Sequence, residues 1–300
     1  MPMPVAIQIP NVRASDAADA AELVAMLRRA EEAGFDSAWV MEHQLGRARA
    51  LEPLAVLAFA AGHTSSLRLG LAVGNLALHQ PVRLAREAAT IDHLSGGRLT
   101  LGVGIGAAGL PYEAFGVTAR ERAPRFEEHL EVMRRLWEDA EVDFDGRFVS
   151  LTRADMEPKP VQRPMPVWFG ASSSRALRRT ARLADGWIGA GSSPSSAFPA
   201  MVSELREHLE AEGRDPTSFP MGKRAYVAID RPEQEIRDWF QAVYGPAVPP
   251  EVAIAGSADE VVEELRRLRE AGADLLLVSP VGDDRAQLEL VIERVVPVLG

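Results

Sequence analysis

Cysteine is absent from this chain, and lysine occurs only at Lys159 and Lys223. Without thiols there are no disulfides, no thiolate-held metals or iron–sulfur clusters, and no cysteine nucleophile. The shortage of lysine narrows imine chemistry, which needs an amine at the mouth of a site. Lys159 falls in a proline-rich connector and Lys223 near the start of a predicted strand, so neither suits a barrel aldolase or isomerase. Positive charge is also short: the net charge of −10 repels phosphate backbones and anionic lipid, so no nucleic-acid and no membrane partner is expected. No apolar run approaches the length of a membrane span, and Met1-Pro2-Met3-Pro4-Val5 lacks a basic stretch followed by an apolar one, which predicts a cytoplasmic protein. The 6 histidines show no metal-ligand spacing, and no metal site is expected.

What the chain does have is a repeat. Glu32-Ala33-Gly34-Phe35-Asp36 leads into Ser37–Val40, Glu270-Ala271-Gly272-Ala273-Asp274 leads into Leu275–Val278, and Leu183-Ala184-Asp185-Gly186 is a weaker third copy. Each reads as a helix stopped at a left-handed glycine before a strand. Predicted strands are Val5–Ile9, Ser37–Met41, Arg68–Val73, Leu99–Val103, Val167–Phe169, Gly186–Ile188, Arg224–Ile229 and Leu275–Ser279. Amphipathic stretches alternate with them, among them Ala20–Ala33, Val82–Leu94, Arg125–Trp137, Ser174–Ala184 and Asp259–Ala271. Apolar strands between helices indicate a parallel sheet buried on both faces. The expected fold is a single α/β domain over residues 1–300, a (β/α)8 TIM barrel with a small hairpin insertion before strand five. A doubly wound open sheet is the other arrangement that such alternation allows. The hairpin is predicted at Val142–Val149 around Asp145-Gly146, followed by a four-proline connector from Pro158 to Pro166 and, later, a loop at Val243–Pro250 over one barrel end.

In a parallel barrel, chemistry sits at the carboxyl ends of the strands. After strand two stand Glu42 and His43, and a neutral imidazole there either exchanges protons or serves as an ordinary loop histidine. After strand four comes Gly102-Val103-Gly104-Ile105-Gly106-Ala107-Ala108-Gly109, either a flexible turn or a loop that lets a ligand approach the backbone. After strand five, Gly170-Ala171-Ser172-Ser173-Ser174 runs straight into a helix, which reads as an anion site or as a plain serine cap. Strand six ends in Gly189-Ala190-Gly191-Ser192. Three small-residue openings on one rim point to a large planar ligand with a phosphate tail.

Three stretches, Ala33-Gly34-Phe35-Asp36-Ser37-Ala38-Trp39, then Asp92-His93-Leu94-Ser95-Gly96-Gly97-Arg98 running into Leu101-Gly102-Val103-Gly104, then Ala184-Asp185-Gly186-Trp187, occur in an order that resembles the bacterial luciferase-like family of flavin and deazaflavin oxidoreductases. The resemblance runs from Val5 to about Gly191 and again from Ala255 to Val278. It implies the same barrel fold, His43 as the catalytic histidine and Glu42 as the acidic neighbour of the cofactor ring. It further implies that Ala72 and Val73, at a position where many members carry a cis peptide, back that ring. Gly104, Ile105 and Gly106 would lie beside the cofactor, and Gly170, Ala171, Ser172, Ser173 and Ser174 would hold its phosphate. Members using flavin mononucleotide (FMN) often have arginine where this chain has Ile105, which favours the deazaflavin coenzyme F420. Sugar-phosphate-oxidising members have a catalytic glutamate where this chain has Ala107, which disfavours that activity. The implied function is an F420-dependent oxidoreductase passing a hydride between the deazaflavin ring and a small organic substrate. The alternative is an FMN-dependent monooxygenase partnered by a separate flavin reductase, and a relative keeping only the cofactor shelf is also compatible. Family members are commonly dimers or larger, so the resemblance implies a homodimer. Substrate walls are expected after His43, at Gly109–Phe115 and at Val243–Pro250, with Tyr112, Phe115 and Trp239 as candidates.

Overall fold

The computed structural model describes residues 4–106, 110–282 and 285–299. Eight parallel strands run in chain order around a closed barrel: β1 (Val5–Gln8), β2 (Ser37–Val40), β3 (Arg68–Leu71), β4 (Leu99–Gly104), β5 (Val167–Ala171), β6 (Gly186–Gly189), β7 (Met221–Ile229) and β8 (Leu275–Pro280). Pairing of Val167 with Leu101 joins β5 to β4, and pairing of Val5 with Leu276 joins β1 to β8, so no edge remains and the open sheet is excluded. Around the barrel lie α1 (Ala20–Glu32), α2 (Pro53–His63), α3 (Pro81–Ser95), α4 (Arg122–Glu138), α5 (Ser174–Leu183), α6 (Phe198–Ala211), α7 (Glu233–Tyr244) and α8 (Ala258–Glu270). Among the described residues, no helix is long and apolar enough to cross a membrane.

Local chemistry sets the boundaries. Gly34 (φ 81°) and Gly272 (φ 106°) are left-handed, as the repeat predicts. Gly186 is not: α5 ends on extended Ala184, and Gly186 already belongs to β6. A side chain there would run into Trp168. In the second and third turns the aspartate is a staple, since Asp274 accepts the Met221 N–H at 2.8 Å and Asp185 the Val167 N–H at 3.0 Å. The α8 start carries a capping box between Ser257 and Glu260. Strand seven begins three residues before the predicted Arg224, because Gly222 and the buried Lys223 disguise it as a turn.

Two indoles fill the barrel floor. Trp39 and Trp168 lie 5.8 Å apart, with Ala6, Ile188, Leu275 and Leu277 packed around them. Each ring occupies space that neighbouring strands vacate: a Cβ on Gly70 would overlap the Trp39 ring, and one on Gly186 would meet Trp168 at 2.6 Å. Below this plug, Asp92 is fully buried and accepts the Gln162 backbone and side-chain N–H groups at 2.9 and 2.8 Å. Arg98 donates to the Ala61 and Thr64 carbonyls and so caps the end of α2. The buried Lys159 caps α4 in the same way, through the Leu136 and Asp139 carbonyls at 3.1 and 2.6 Å.

The hairpin before β5 exists but differs from the prediction. Val142–Asp145 pairs antiparallel with Ser150–Ala154, and the turn spans residues 146–149 in place of a tight Asp-Gly. The cause is Glu128 on α4, whose carboxylate accepts the backbone N–H groups of Arg147, Phe148 and Val149.

Gly70→Ala is expected to lower stability by about 1–3 kcal/mol through overpacking, and by less in a Trp39→Leu background. Urea unfolding of the two single variants and the double variant measures the coupling. Strictly additive costs would remove the indole–glycine contact as the explanation.

Candidate active site

A cavity of about 870 Å³ opens at the carboxyl ends of the strands. Its walls include Glu42 and His43 after β2, Ala72, Val73 and Asn75 after β3, Gly104, Ile105 and Gly106 from β4, and Gly170, Ala171, Ser172 and Ser173 from β5. Of the site residues expected from the sequence, the structure brings all but one into this wall. Ser174 is not in the wall; it is the exposed first residue of α5. Ser173 takes the cap position, yet its hydroxyl makes no capping bond, so a plain serine cap does not explain the serine run. Ala107 and Gly109 lie outside the described residues.

The alternating glycines of β4 have a steric cause. The Ala72–Val73 peptide is cis, and the Val73 side chain projects toward β4 and β5. A Cβ on Gly104 would approach it to 2.9 Å and one on Gly170 to 3.0 Å, while one on Gly102 would overlap the Leu71 carbonyl oxygen. Gly106 (φ 68°) leaves room for the Asn75 amide. These glycines therefore let Val73 and Asn75 stand in the mouth.

Glu42 is held by three donors. The Asn75 N–H reaches it at 2.6 Å, His79 Nε2 at 2.5 Å and Gln44 Nε2 at 3.1 Å. His79 escaped the sequence reading because it sits beyond the end of β3 in what looks like loop. It lies eight residues past Leu71, farther along the chain than Glu42 or His43 lie from the end of β2, and no local pattern marks it. Burial alone would pull the His79 pKa down, but the hydrogen bond and negative charge of Glu42 outweigh burial and raise it. His43 behaves oppositely. Burial lowers its pKa, and its buried Nε2 has no hydrogen-bond partner. Gly46 passes so close to that ring that a Cβ would collide with Nε2.

Four arginines also line the wall: Arg120 and Arg122 at the start of α4, and Arg175 and Arg179 on α5. Glu127 holds Arg179 at 2.8 Å, and Arg122 donates to the Gly106 carbonyl at 3.1 Å while lying over the Tyr112 ring. The three aromatic candidates for a substrate wall are misplaced. Tyr112 is buried with its hydroxyl on the Ile105 carbonyl, Phe115 faces solvent, and Trp239 packs among Tyr226, Phe240 and Tyr244. Tyr226, Tyr244 and Val248 line the cavity in their stead. Lys223 lies outside the wall, donating to the Ala190 and Ser193 carbonyls at 2.6 and 2.8 Å, and burial pushes its pKa down to about 8.

Compared with known protein families, residues 3–252 match the luciferase-like monooxygenases. An uncharacterized protein of Mycobacterium tuberculosis is 38% identical over 183 residues, 61% of this chain and 62% of the relative. An F420-dependent glucose-6-phosphate dehydrogenase of Kineococcus radiotolerans is 34% identical over 195 residues, 62% of this chain and 57% of the relative. Both matches therefore span less than two thirds of the relative's own length. Among solved structures, an F420-dependent secondary alcohol dehydrogenase in complex with an F420-acetone adduct superposes with a TM-score of 0.85 at 20% identity, covering 100% of each chain; at that identity the likeness speaks for the fold.

Because His79 has a raised folded pKa, it contributes stability that is complete below the ordinary imidazole pKa of about 6.5. That contribution is lost as pH rises through the higher folded value. Proton NMR of the imidazole C–H resonances is expected to show His79 titrating above His43, and Glu42→Gln to bring His79 below the ordinary range. An unmoved His79 titration in that variant would dissolve the pair.

Proposed function

We propose that this chain, which belongs to the luciferase-like monooxygenase family, is an oxidoreductase that uses coenzyme F420 and exchanges a hydride with a small organic substrate. The reading rests most heavily on one arrangement: a single cavity joins a polar shelf around His43 and Val73 to an arginine- and serine-lined helix start. A planar ring with an anionic tail fits those two ends. The unpartnered His43 Nε2 and the uncommitted Ser173 hydroxyl are the kind of polar atoms that such a ligand would satisfy. The F420-dependent relative in Kineococcus supports the choice of coenzyme, as does Ile105 at a position where FMN members often carry arginine.

When bound, the coenzyme would supply the hydride chemistry, and the protein the binding, orientation and protons. Ala72 and Val73 would back the ring, and Gly104, Ile105 and Gly106 would flank it. Ser172, Ser173 and Arg175 would hold the phosphate at the start of α5, where backbone N–H groups and the helix dipole favour an anion. Glu42, fixed by Asn75 and His79, would face the ring edge as an oriented acceptor. His43, kept neutral by burial, would take or give a proton at Nε2 as the substrate oxygen changes charge. The second reading, an FMN-dependent monooxygenase fed by a separate flavin reductase, draws support from the family's own description.

Titration of the protein with F420, followed by coenzyme fluorescence, is expected to give saturable binding tighter than that of FMN; the reverse order would favour the second reading. Arg175→Ala is expected to weaken F420 binding by about 10-fold or more, the scale of one charge-assisted hydrogen bond. His43→Ala is expected to spare that affinity while lowering turnover by about 10²–10⁴-fold. Full turnover in His43→Ala would make the imidazole a spectator.

A further inference from the structure

Arg224 rises from β7 into the same cavity, beside Tyr226, Tyr244 and Val248. Its hydrogen bonds go only to neutral side-chain oxygens. Nε donates to Ser279 Oγ at 3.0 Å, and Nη2 donates to Gln8 Oε1 at 2.6 Å and to the Tyr244 hydroxyl at 3.2 Å. The guanidinium also lies 4.6 Å from the centre of the Tyr226 ring. Among the described residues no carboxylate pairs with it, and its Nη1 has no partner. Other sheltered arginines are compensated differently. Arg134 meets Asp185 and Arg179 meets Glu127, whereas Arg98 and Arg214 cap carbonyls at the ends of α2 and α5.

A guanidinium does not lose its charge, so Arg224 keeps a cation in the cavity wall with only dipoles and a ring face to offset it. Three of its N–H groups are committed, which fixes the plane and leaves the two on Nη1 to serve a ligand. The Tyr244 hydroxyl is available as well, because it donates to the Met41 thioether at 3.4 Å, a weak acceptor that an anionic oxygen would displace. Met41 and Val248 supply apolar wall close by.

We infer that Arg224, with Tyr244, anchors an anionic group on the substrate, so that the substrate class is a small organic carboxylate or phosphate ester with an apolar body. This rests on the oxidoreductase reading for the word substrate, but the anion site is testable without coenzyme. Prearranged donors discriminate strongly against an analogue that lacks the matching charge, since the alternative leaves the cation unanswered.

The test is calorimetric titration of the coenzyme-free protein with butyrate, butyl phosphate and, as the uncharged control, butyramide. At least one anion is expected to bind about 10-fold tighter than butyramide or better. Arg224→Gln is expected to abolish that preference and leave butyramide binding unchanged, while Arg224→Lys retains part of it. Which anion wins separates carboxylate from phosphate ester. Equal binding of all three by the unaltered protein overturns the inference, as does a preference that survives in Arg224→Gln. The first of these comparisons needs no variant, so it stands even if Arg224→Gln fails to fold. F420 titration of the same proteins separates the two readings. Unaltered protein that prefers the anion but ignores F420 removes the coenzyme assignment alone. An Arg224→Gln protein that keeps the anion preference but loses F420 affinity assigns Arg224 to the coenzyme and removes the present inference.

Discussion

The wedging of Trp39 and Trp168 against strand glycines is the constraint from which the rest follows. Two large rings fit inside eight strands only where adjacent strands surrender their side chains, and Gly70 and Gly186 do so. Once seated, the indoles close the lower barrel to water. Ser37 stays beneath them and accepts the Trp39 indole N–H at 2.9 Å, while Arg224 and Glu42 line the cavity above, Arg224 with Gln8 and Ser279 as partners. The rim is where parallel strands leave backbone free and loops can carry varied chemistry.

The rim itself divides by charge. Glu42 receives three hydrogen bonds and so keeps one orientation. Of the arginines in the wall, Arg179 is held by Glu127 and Arg122 by the Gly106 carbonyl, while Arg224 is bound only through neutral atoms. A protein of net negative charge still presents a locally positive cavity, because five arginines line it against the single carboxylate of Glu42. Charge of the whole chain is therefore a poor guide to the ligand it accepts.

The strands, the closed barrel and the cavity position were legible because alternation of apolar runs with helical periods survives in one dimension. So were His43 and Glu42, which immediately follow a clear strand. The motif glycines were legible as positions but not as causes. Gly186 read as a helix stop and serves Trp168; Gly104 read as a ligand approach and gives way to Val73. The Asp92–Arg98 stretch, among the most specific for the family, lies below the indoles and ties α2, α3 and the proline connector together. A strong family signature can thus report architecture far from chemistry. His79 and Arg224 were invisible for a different reason: their roles depend on partners that are 37 and 216 positions away in the chain, and no local pattern marks such pairs.

Lys159 and Lys223 are both turned inward onto backbone carbonyls. The folded surface consequently offers acylating reagents and amine-directed cross-linkers almost no side-chain foothold, and enzymes that tag lysine would have to open the structure first. Attachment through a lysine side chain would therefore follow local opening rather than precede it.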